Sequence, residues 1–173
     1  MDDKIMDFAK KLDEKEYLNN ISVPILDGFQ MIENPGTLFT AISEDNSIEQ
    51  FLCDGVIREN ETFESHIELV VKDIKDTMNE SGLEDSEHNV KFFKYHKTKE
   101  FEFKIYIQDN VIDGKIIRQF NIFFMDSKSN AFYQLALSTA PYSTKDIKYV
   151  KNDLTLNVLD SITNLMNNIH YNN

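Results

Sequence analysis

Few side chains in this sequence of 173 residues could bind a metal or act as a nucleophile. Cys53 is the single cysteine, so it has no second thiolate with which to share a zinc ion. No two histidines have the His-x-x-x-His spacing that presents both imidazoles on one face of a helix. The four histidines are His66, His88, His96 and His170. We therefore expect no metal and no cofactor.

Catalytic motifs built on glycine are also missing. None of the 5 glycines lies in a phosphate-binding loop, a Gly-x-Ser-x-Gly elbow or a dinucleotide fingerprint. The segment Glu84-Asp85-Ser86-Glu87-His88 could be drawn as a catalytic or metal-binding cluster, but acidic loops with one histidine are far more often solvated surface. The sequence favours a protein that is not an enzyme.

Acidic residues outnumber basic residues by 30 to 18, and the formal net charge is −12. This charge opposes contact with phosphates, so a nucleic-acid-binding function is disfavoured. The excess is concentrated in residues 44–87, which carry 14 acidic and 3 basic side chains. Such a block either keeps the protein soluble or attracts a partner protein with a basic surface.

The acidic block contains a predicted amphipathic helix that is capped by Thr62 and ends near Ser81, before Gly82. Its apolar face carries Phe63, Ile67, Val70, Val71, Ile74 and Met78. The opposite face is predicted to bind a partner, because its carboxylates would attract a basic surface and its leucine would supply an apolar contact. The residues of this site are Leu69, Asp73, Asp76 and Glu80.

A second helix is predicted to begin at Ser143 or Thr144, and over residues 145–169 it would be roughly 37 Å long at 1.5 Å per residue. Its main apolar stripe consists of Ile147, Val150, Leu154, Val158, Ile162, Leu165 and Ile169. A weaker stripe on the outward side consists of Tyr149, Leu156 and Leu159. This second stripe is either partly buried under the N-terminal segment or a further contact surface.

Alternating apolar and polar residues predict the β-sheet that these helices cover. The clearest strands are at 101–108, 116–125 and 132–139, and the turn-forming residues between them indicate an antiparallel meander. Further strands are predicted at 21–26, 29–32, 38–42, 51–57 and 90–97. Asp27-Gly28 predicts a hairpin turn between the first two of these, and Pro24 makes the first an edge or irregular strand.

The predicted strand at 90–97 interleaves lysines with Phe92, Phe93 and Tyr95. This pattern resembles that of proteins that bind single-stranded nucleic acid. Because half-buried strands commonly mix aromatic residues with lysine, and the net charge opposes nucleic acid, we interpret it as an ordinary strand.

One domain is expected at residues 19–173, preceded by a short amphipathic helix or arm at residues 1–18. A single cysteine excludes an intramolecular disulfide framework and indicates a reducing compartment, so we expect a cytoplasmic protein. No stretch reaches the ~18 consecutive apolar residues of a membrane span, and the first residues lack a basic segment followed by an apolar run, so we expect no membrane span and no export signal.

The order of the elements resembles the PsbP-like family, which includes the Mog-type Ran-binding import factor and bacterial DcrB-like proteins. The similar segments are residues 28–35, 63–75, 131–141 and 160–162. Family members commonly carry a tryptophan soon after the early proline, whereas this chain has none and Phe39 is the nearest substitute. The resemblance implies a role such as protein-binding adaptor, photosystem accessory subunit or chaperone of secreted effectors, and it assigns no functional residue.

Together these patterns predict an α+β fold: an α/β/α-like sandwich in which two long helices pack on one twisted antiparallel sheet. The predicted function is a non-enzymatic protein-binding module, either an adaptor or a chaperone of an effector or secreted protein. A carrier of a small ligand or lipid is the alternative, because an aromatic-rich sheet under a long helix can hold a cavity. The expected partner is another protein with a basic surface, and a homodimer is a further option.

Overall fold

The computed structural model of the chain describes residues 21–44, 48–80, 89–112, 115–139, 142–143 and 155–172. Side chains are described within these ranges except at 78–80, 89, 110–112, 115–117, 139, 142–143 and 155–160. The predicted N-terminal helix or arm, residues 1–18, lies outside the described residues.

The described chain contains ten strands and two helices. The strands are β1 (Ile21–Ser22), β2 (Gln30–Ile32), β3 (Phe39–Ile42), β4 (Ile48–Val56), β5 (Asn89–Lys97), β6 (Glu102–Ile112), β7 (Lys115–Asp126), β8 (Ala131–Thr139), β9 (Tyr142–Ser143) and β10 (His170–Tyr171). The helices are α1 (Phe63–Glu80), before β5, and α2 (Thr155–Asn167), before β10. Each strand that alternation predicts is confirmed, although the first is reduced to two residues.

Seven strands form one antiparallel sheet in the order β2-β3-β4-β8-β7-β6-β5, and β9 pairs with the start of β7. The predicted meander is confirmed, because β6 pairs with β7 and β7 pairs with β8. β4 pairs with the other side of β8, which places β7 and β8 inside the sheet. The edges are β2 and β5.

The turn between β7 and β8 is closed by Asp126, whose side chain is fully buried. Its carboxylate accepts hydrogen bonds from the Lys128 backbone N–H and the Ser129 hydroxyl, each at 2.8 Å. Asn130 adopts a φ of 59°, in the left-handed region that asparagine tolerates. The turn predicted at 126–130 is confirmed.

Strand β7 carries buried apolar residues on both of its faces. Phe120, Ile122 and Phe124 belong to one core, whereas Phe123 belongs to another. Because successive side chains of a strand point to opposite faces, these two cores lie on opposite sides of the sheet. We name the two sides the α2 face and the α1 face, after the helix that contributes to each core.

The core on the α2 face brings together the two ends of the described chain. α2 and the residue pair after it contribute Ile162, Leu165, Met166 and Ile169, and the other end contributes Ile21, Val23, Ile25 and Leu26. Gln50 holds the second group in place. Its side-chain oxygen accepts from the Leu26 N–H and its Nε2 donates to the Pro24 carbonyl, both at 2.9 Å.

The hairpin predicted around Asp27-Gly28 is wrong, although the turn itself is present. β1 pairs with β10 instead of β2, and β2 pairs with β3. The prediction was based on the Asp-Gly turn between two neighbouring segments, whereas β1 pairs with a strand at the far end of the described chain. Pro24 predicts that the first strand is an edge or irregular one, and β1 ends at Ser22, before Pro24.

The predicted α/β/α-like sandwich with two long helices is wrong. α1 has 18 residues and α2 has 13, and Ser143, one predicted start of the second helix, lies in β9. The structure is dominated by the sheet, because the apolar side chains are concentrated in the long strands and the extended segment 21–26 covers part of the α2 face. No helix in the described ranges is long and apolar enough to cross a membrane.

A buried ion pair joins β6 to β7 on the α2 face. Arg118 Nε and Nη2 donate to the two carboxylate oxygens of Asp109, each at 2.7 Å. The residues are 4% and 6% exposed, and they lie directly opposite each other in the strand register. Both charges are removed from water, and each compensates the other.

Asn121 is also fully buried, on the α1 face, although its alternation with apolar residues predicts a polar, solvent-facing position. Its side-chain oxygen accepts from Gln119 Nε2 at 2.7 Å and from Gln134 Nε2 at 2.8 Å. Its Nδ2 donates to Gln108 Oε1 at 3.3 Å. The amide side chains of three neighbouring strands therefore satisfy one another.

Glu100, in the turn between β5 and β6, holds β10 in place. Its carboxylate accepts from the Tyr171 backbone N–H at 2.7 Å and from His170 Nδ1 at 2.8 Å. The Tyr171 hydrogen bond is the main cause that lowers the pKa of Glu100 below its ordinary value, followed by the His170 hydrogen bond.

Replacing Asp109 by alanine is expected to lower the free energy of unfolding by about 3–5 kcal/mol, because Arg118 stays buried without this carboxylate. Urea denaturation followed by circular dichroism measures the loss. The double variant Asp109→Val, Arg118→Val removes both charges and should lose less than Asp109→Ala. A double variant that is less stable than the single variant would contradict this explanation.

Replacing Glu100 by glutamine is expected to lower the melting temperature at pH 7, because the charged form of Glu100 is stabilised in the folded protein. A lowered carboxyl pKa gives stability that is complete above the ordinary pKa of 4.5 and is lost as the pH falls through the folded value. The difference in melting temperature should therefore shrink below pH 4.5. Glu59→Gln, at an exposed turn, is the matched control, and a constant difference for Glu100→Gln would overturn the assignment.

Candidate partner-binding surface

Helix α1 begins with a reciprocal cap. The Thr62 hydroxyl oxygen accepts from the Ser65 backbone N–H at 3.1 Å, and the Ser65 hydroxyl accepts from the Thr62 N–H at 2.8 Å. These bonds satisfy donors that the first turn of a helix leaves unpaired. The start predicted from Thr62 is confirmed.

The inner stripe of α1 sets its orientation on the sheet. Ile67 and Val71 are buried against Phe123, Phe132 and Val90 on the α1 face. Phe63, Val70 and Ile74 pack around them and are partly buried. The apolar face predicted for this helix is confirmed wherever its side chains are described, so the opposite side of α1 must face solvent.

Leu69, Asp73 and Asp76 lie on this opposite side, and we call them the α1 outer face. Leu69 is 49% exposed, and both aspartates are exposed. The structure thus brings together three of the four residues predicted to bind a partner. The fourth, Glu80, ends the helix, and its side chain lies outside the described residues.

The second predicted surface stays a prediction. Tyr149 lies outside the described residues. Leu156 and Leu159 belong to α2, but their side chains are not described.

Two exposed aromatic side chains lie close together on the edge strand β5. Phe92 is 55% exposed and Tyr95 is 45% exposed. Phe92 pairs with Tyr106, and their rings meet edge to face with centroids 5.5 Å apart. Tyr95 pairs with Lys104, so all these side chains lie on the α1 face. We call Phe92, Tyr95 and Tyr106 the aromatic shelf.

Carboxylates of α1 border the aromatic shelf. Glu64 Oε1 lies 3.9 Å from Lys104 Nζ. Burial raises the pKa of Tyr106, and the negative charge of Glu68 raises it further. Desolvation likewise raises the pKa of Tyr95, and so do the charge of Glu102 and a hydrogen bond to its carboxylate. The shelf therefore combines aromatic rings with nearby negative charge.

The sequence contains only an ambiguous signal for this shelf. Aromatic residues at 90–97 alternate with lysines, which is also the pattern of a half-buried strand. What exposes Phe92 and Tyr95 is the position of β5 at the sheet edge. Strand order depends on contacts between distant segments, so the local pattern does not report it.

The histidines are engaged in separate contacts. His66 Nδ1 donates to Glu61 Oε2 at 2.6 Å, and His96 Nε2 lies 2.9 Å from Asn167 Oδ1. His170 binds Glu100, and His88 lies outside the described residues. Within the described ranges, no three His, Cys, Asp or Glu side chains form a group that could hold a metal ion.

Cys53 lies on β4, partly buried, with its Sγ 3.8 Å from the Gly36 carbonyl oxygen. Burial raises the pKa of the thiol above its ordinary value of 9.0, and the charge of Asp54 raises it further. Since the thiolate is the reactive form, these surroundings make Cys53 a poor nucleophile at neutral pH.

Two cavities open at the surface of the described residues. One of about 410 Å³ lies along the β2–β3 connection and is lined by Met31, Ile32, Pro35 and Phe39 among others. The other, of about 310 Å³, lies between α1 and β10 and is lined by Phe63, Glu64, Phe101 and Tyr171 among others. Both volumes are at the lower end of the range for small-molecule sites.

Comparison of folds relates the chain to proteins of known structure. The solution structure of cyanobacterial PsbP (CyanoP) from Synechocystis sp. PCC 6803 matches with a TM-score of 0.55 at 7% sequence identity, over 88% of this chain and 86% of that one. The crystal structure of LpqN, involved in cell envelope biogenesis of Mycobacterium tuberculosis, matches with a TM-score of 0.53 at 10% identity, over 88% and 83%. No family model and no curated protein sequence matches the chain.

The fold is therefore PsbP-like. At 7% and 10% identity, the likeness shows the fold alone and transfers no function. Neither structure is described as a Mog-type or DcrB-like protein, so that finer part of the resemblance stays a prediction.

Alkylation of Cys53 by iodoacetamide is expected to be slow in the folded protein, with a pH midpoint above 9.0. Unfolding in urea should remove the effect of burial and restore the reactivity of free cysteine. Asp54→Asn should lower the midpoint only slightly, because burial is the larger cause. A folded protein that reacts as fast at pH 8 as the unfolded protein would contradict this expectation.

Proposed function

We propose that this protein is a non-enzymatic protein-binding module, an adaptor or a chaperone of another protein, which uses the α1 outer face to bind a partner with a basic surface. A cytoplasmic location is part of the proposal, and the single cysteine supports it because disulfide-rich frameworks are typical of secreted domains.

The observation that carries the proposal is the exposure of Leu69 among carboxylates. The inner stripe already attaches α1 to the sheet, so folding does not require an apolar residue at this position. One exposed leucine is ordinary by itself. Here it lies beside Asp73 and Asp76, in the block 44–87 that holds nearly all the net charge of the chain.

The two kinds of side chain would act on different stages of binding. Carboxylates at the rim of a contact accelerate encounter with a basic surface, and salt weakens their effect. Leu69 is 49% exposed, so burying its remaining surface would contribute about 0.7–1.5 kcal/mol, enough to slow dissociation by roughly threefold to tenfold.

A small-ligand carrier is the second candidate, and the cavity of about 410 Å³ at the β2–β3 connection favours it. Native mass spectrometry of protein purified from its own host distinguishes the two. A co-purifying polypeptide supports the protein-binding module, and a bound small molecule supports the carrier.

Once a partner has been captured, Asp73→Lys with Asp76→Lys should slow association and flatten its dependence on salt, because the steering charge is reversed. Leu69→Ala should mainly accelerate dissociation. Surface plasmon resonance at several salt concentrations measures both rates.

A matched control reverses two exposed acidic residues elsewhere, Glu33→Lys with Glu44→Lys, and gives the same net charge. Equal slowing by the control would mean that overall charge, and not the α1 outer face, attracts the partner. Wild-type rates for all α1 variants, with the fold intact by circular dichroism, would overturn the proposed site.

A further inference from the structure

We infer that the aromatic shelf beside α1 is a docking site for arginine side chains of a protein partner. This inference rests on the proposed protein-binding function and adds a second contact to it. It concerns Phe92, Tyr95 and Tyr106 and the carboxylate of Glu68 next to them.

The shelf exists because α1 covers only part of the α1 face. α1 packs over Phe123 and Phe132, and its buried side chains reach Val90 at the start of β5. Further along β5, Phe92 and Tyr95 stay more than two-fifths exposed, although each carries a large apolar ring. Adjacent exposed rings on one face of an edge strand are typical of contact surfaces more than of ordinary solvated surface.

The shelf favours arginine because rings and carboxylates occur together there. A guanidinium group is planar, stacks on aromatic faces and donates several hydrogen bonds in a fixed geometry. Glu64 already contacts Lys104, and Glu102 contacts Lys97 at 3.7 Å. Of these three carboxylates, Glu68 has no ion pair within 4.0 Å to any of the described residues. Its carboxylate could therefore accept hydrogen bonds from an incoming cation.

Other occupants fit less well. Nucleic-acid bases could stack on the rings, but Glu64, Glu68 and Glu102 would repel their phosphates. A second copy could not simply pair its own β5 with this one, because Lys91, Lys94 and Lys97 along the strand would meet like charges, and a β-bulge between Phe92 and Lys94 interrupts the edge.

Fluorescence anisotropy with labelled peptides tests the inference before any partner is identified. The probes are a Gly-Arg repeat, a Gly-Lys repeat of equal length and charge, and a single-stranded oligonucleotide. The wild-type protein should bind the arginine peptide about threefold to tenfold more tightly than the lysine peptide, because a planar guanidinium stacks on an aromatic face, whereas an ammonium contacts it only as a compact charge.

Two variants separate stacking from apolar contact. Phe92→Leu with Tyr95→Leu keeps apolar side chains but removes the rings, and it should bring the two peptide affinities to the same value. Glu68→Gln keeps the shape of the side chain and should weaken binding of both peptides. Preference for arginine that survives the leucine variant, or tighter binding of the oligonucleotide than of either peptide, would overturn the inference.

The α1 outer face serves as the internal control. Asp73→Lys with Asp76→Lys should lower the affinity for both peptides together and leave the arginine-to-lysine ratio unchanged. A ratio lost in this variant but kept in the leucine variant would place arginine recognition on the α1 outer face and overturn the shelf. If the peptide tests overturn the shelf but the captured partner still requires Leu69, the inference about the shelf is wrong and the proposed function is unaffected.

Discussion

Strand β7 imposes the constraint on which the rest of the structure depends. Consecutive residues at 122–124 are apolar and fully buried, and a strand sends them alternately to opposite faces. Neither face of the central sheet can therefore stay in water. The extended segment 21–26 and helix α2 cover the α2 face, and helix α1 covers the α1 face. Gln50 and Glu100 hold covering segments in place. They matter because the apolar faces of the sheet must be kept from water.

Coverage of the α1 face is incomplete, and the candidate surfaces are a consequence of that. An 18-residue helix crossing a seven-strand sheet leaves parts of the face without a covering element. Around Asn121 on β7, amide side chains of β6, β7 and β8 bond to one another and bury it. Near β5 the uncovered residues include Phe92 and Tyr95, whose rings stay exposed. Because α1 covers only part of the α1 face, a network of amide side chains forms around Asn121, and aromatic rings stay exposed on β5.

Local patterns in the sequence predicted the strands and α1 because their causes are local. Alternation reports burial on one face of a strand, and Thr62 caps a helix through residues three positions away. The pairing of β1 with β10, the Asp109–Arg118 ion pair and the exposure of Phe92 all depend on which strands become neighbours. Asp109 and Arg118 each read as ordinary polar residues until the register places them opposite each other. The predicted start of the second helix at Ser143 failed for a related reason: Ser143, in β9, pairs with Lys115 of β7, and the local apolar spacing does not reveal that partner.

The α1 outer face and the aromatic shelf have different origins, and this bears on how a PsbP-like fold could serve different partners. The shelf follows from strand order and helix length, which belong to the fold, whereas Leu69, Asp73 and Asp76 occupy helix positions that folding leaves free. Residues of the second kind can change without cost to the core, because substitutions at exposed positions usually alter stability by less than about 0.5 kcal/mol. Partner specificity would then be set mainly on the α1 outer face, while the shelf would supply an aromatic contact wherever the edge strand carries rings.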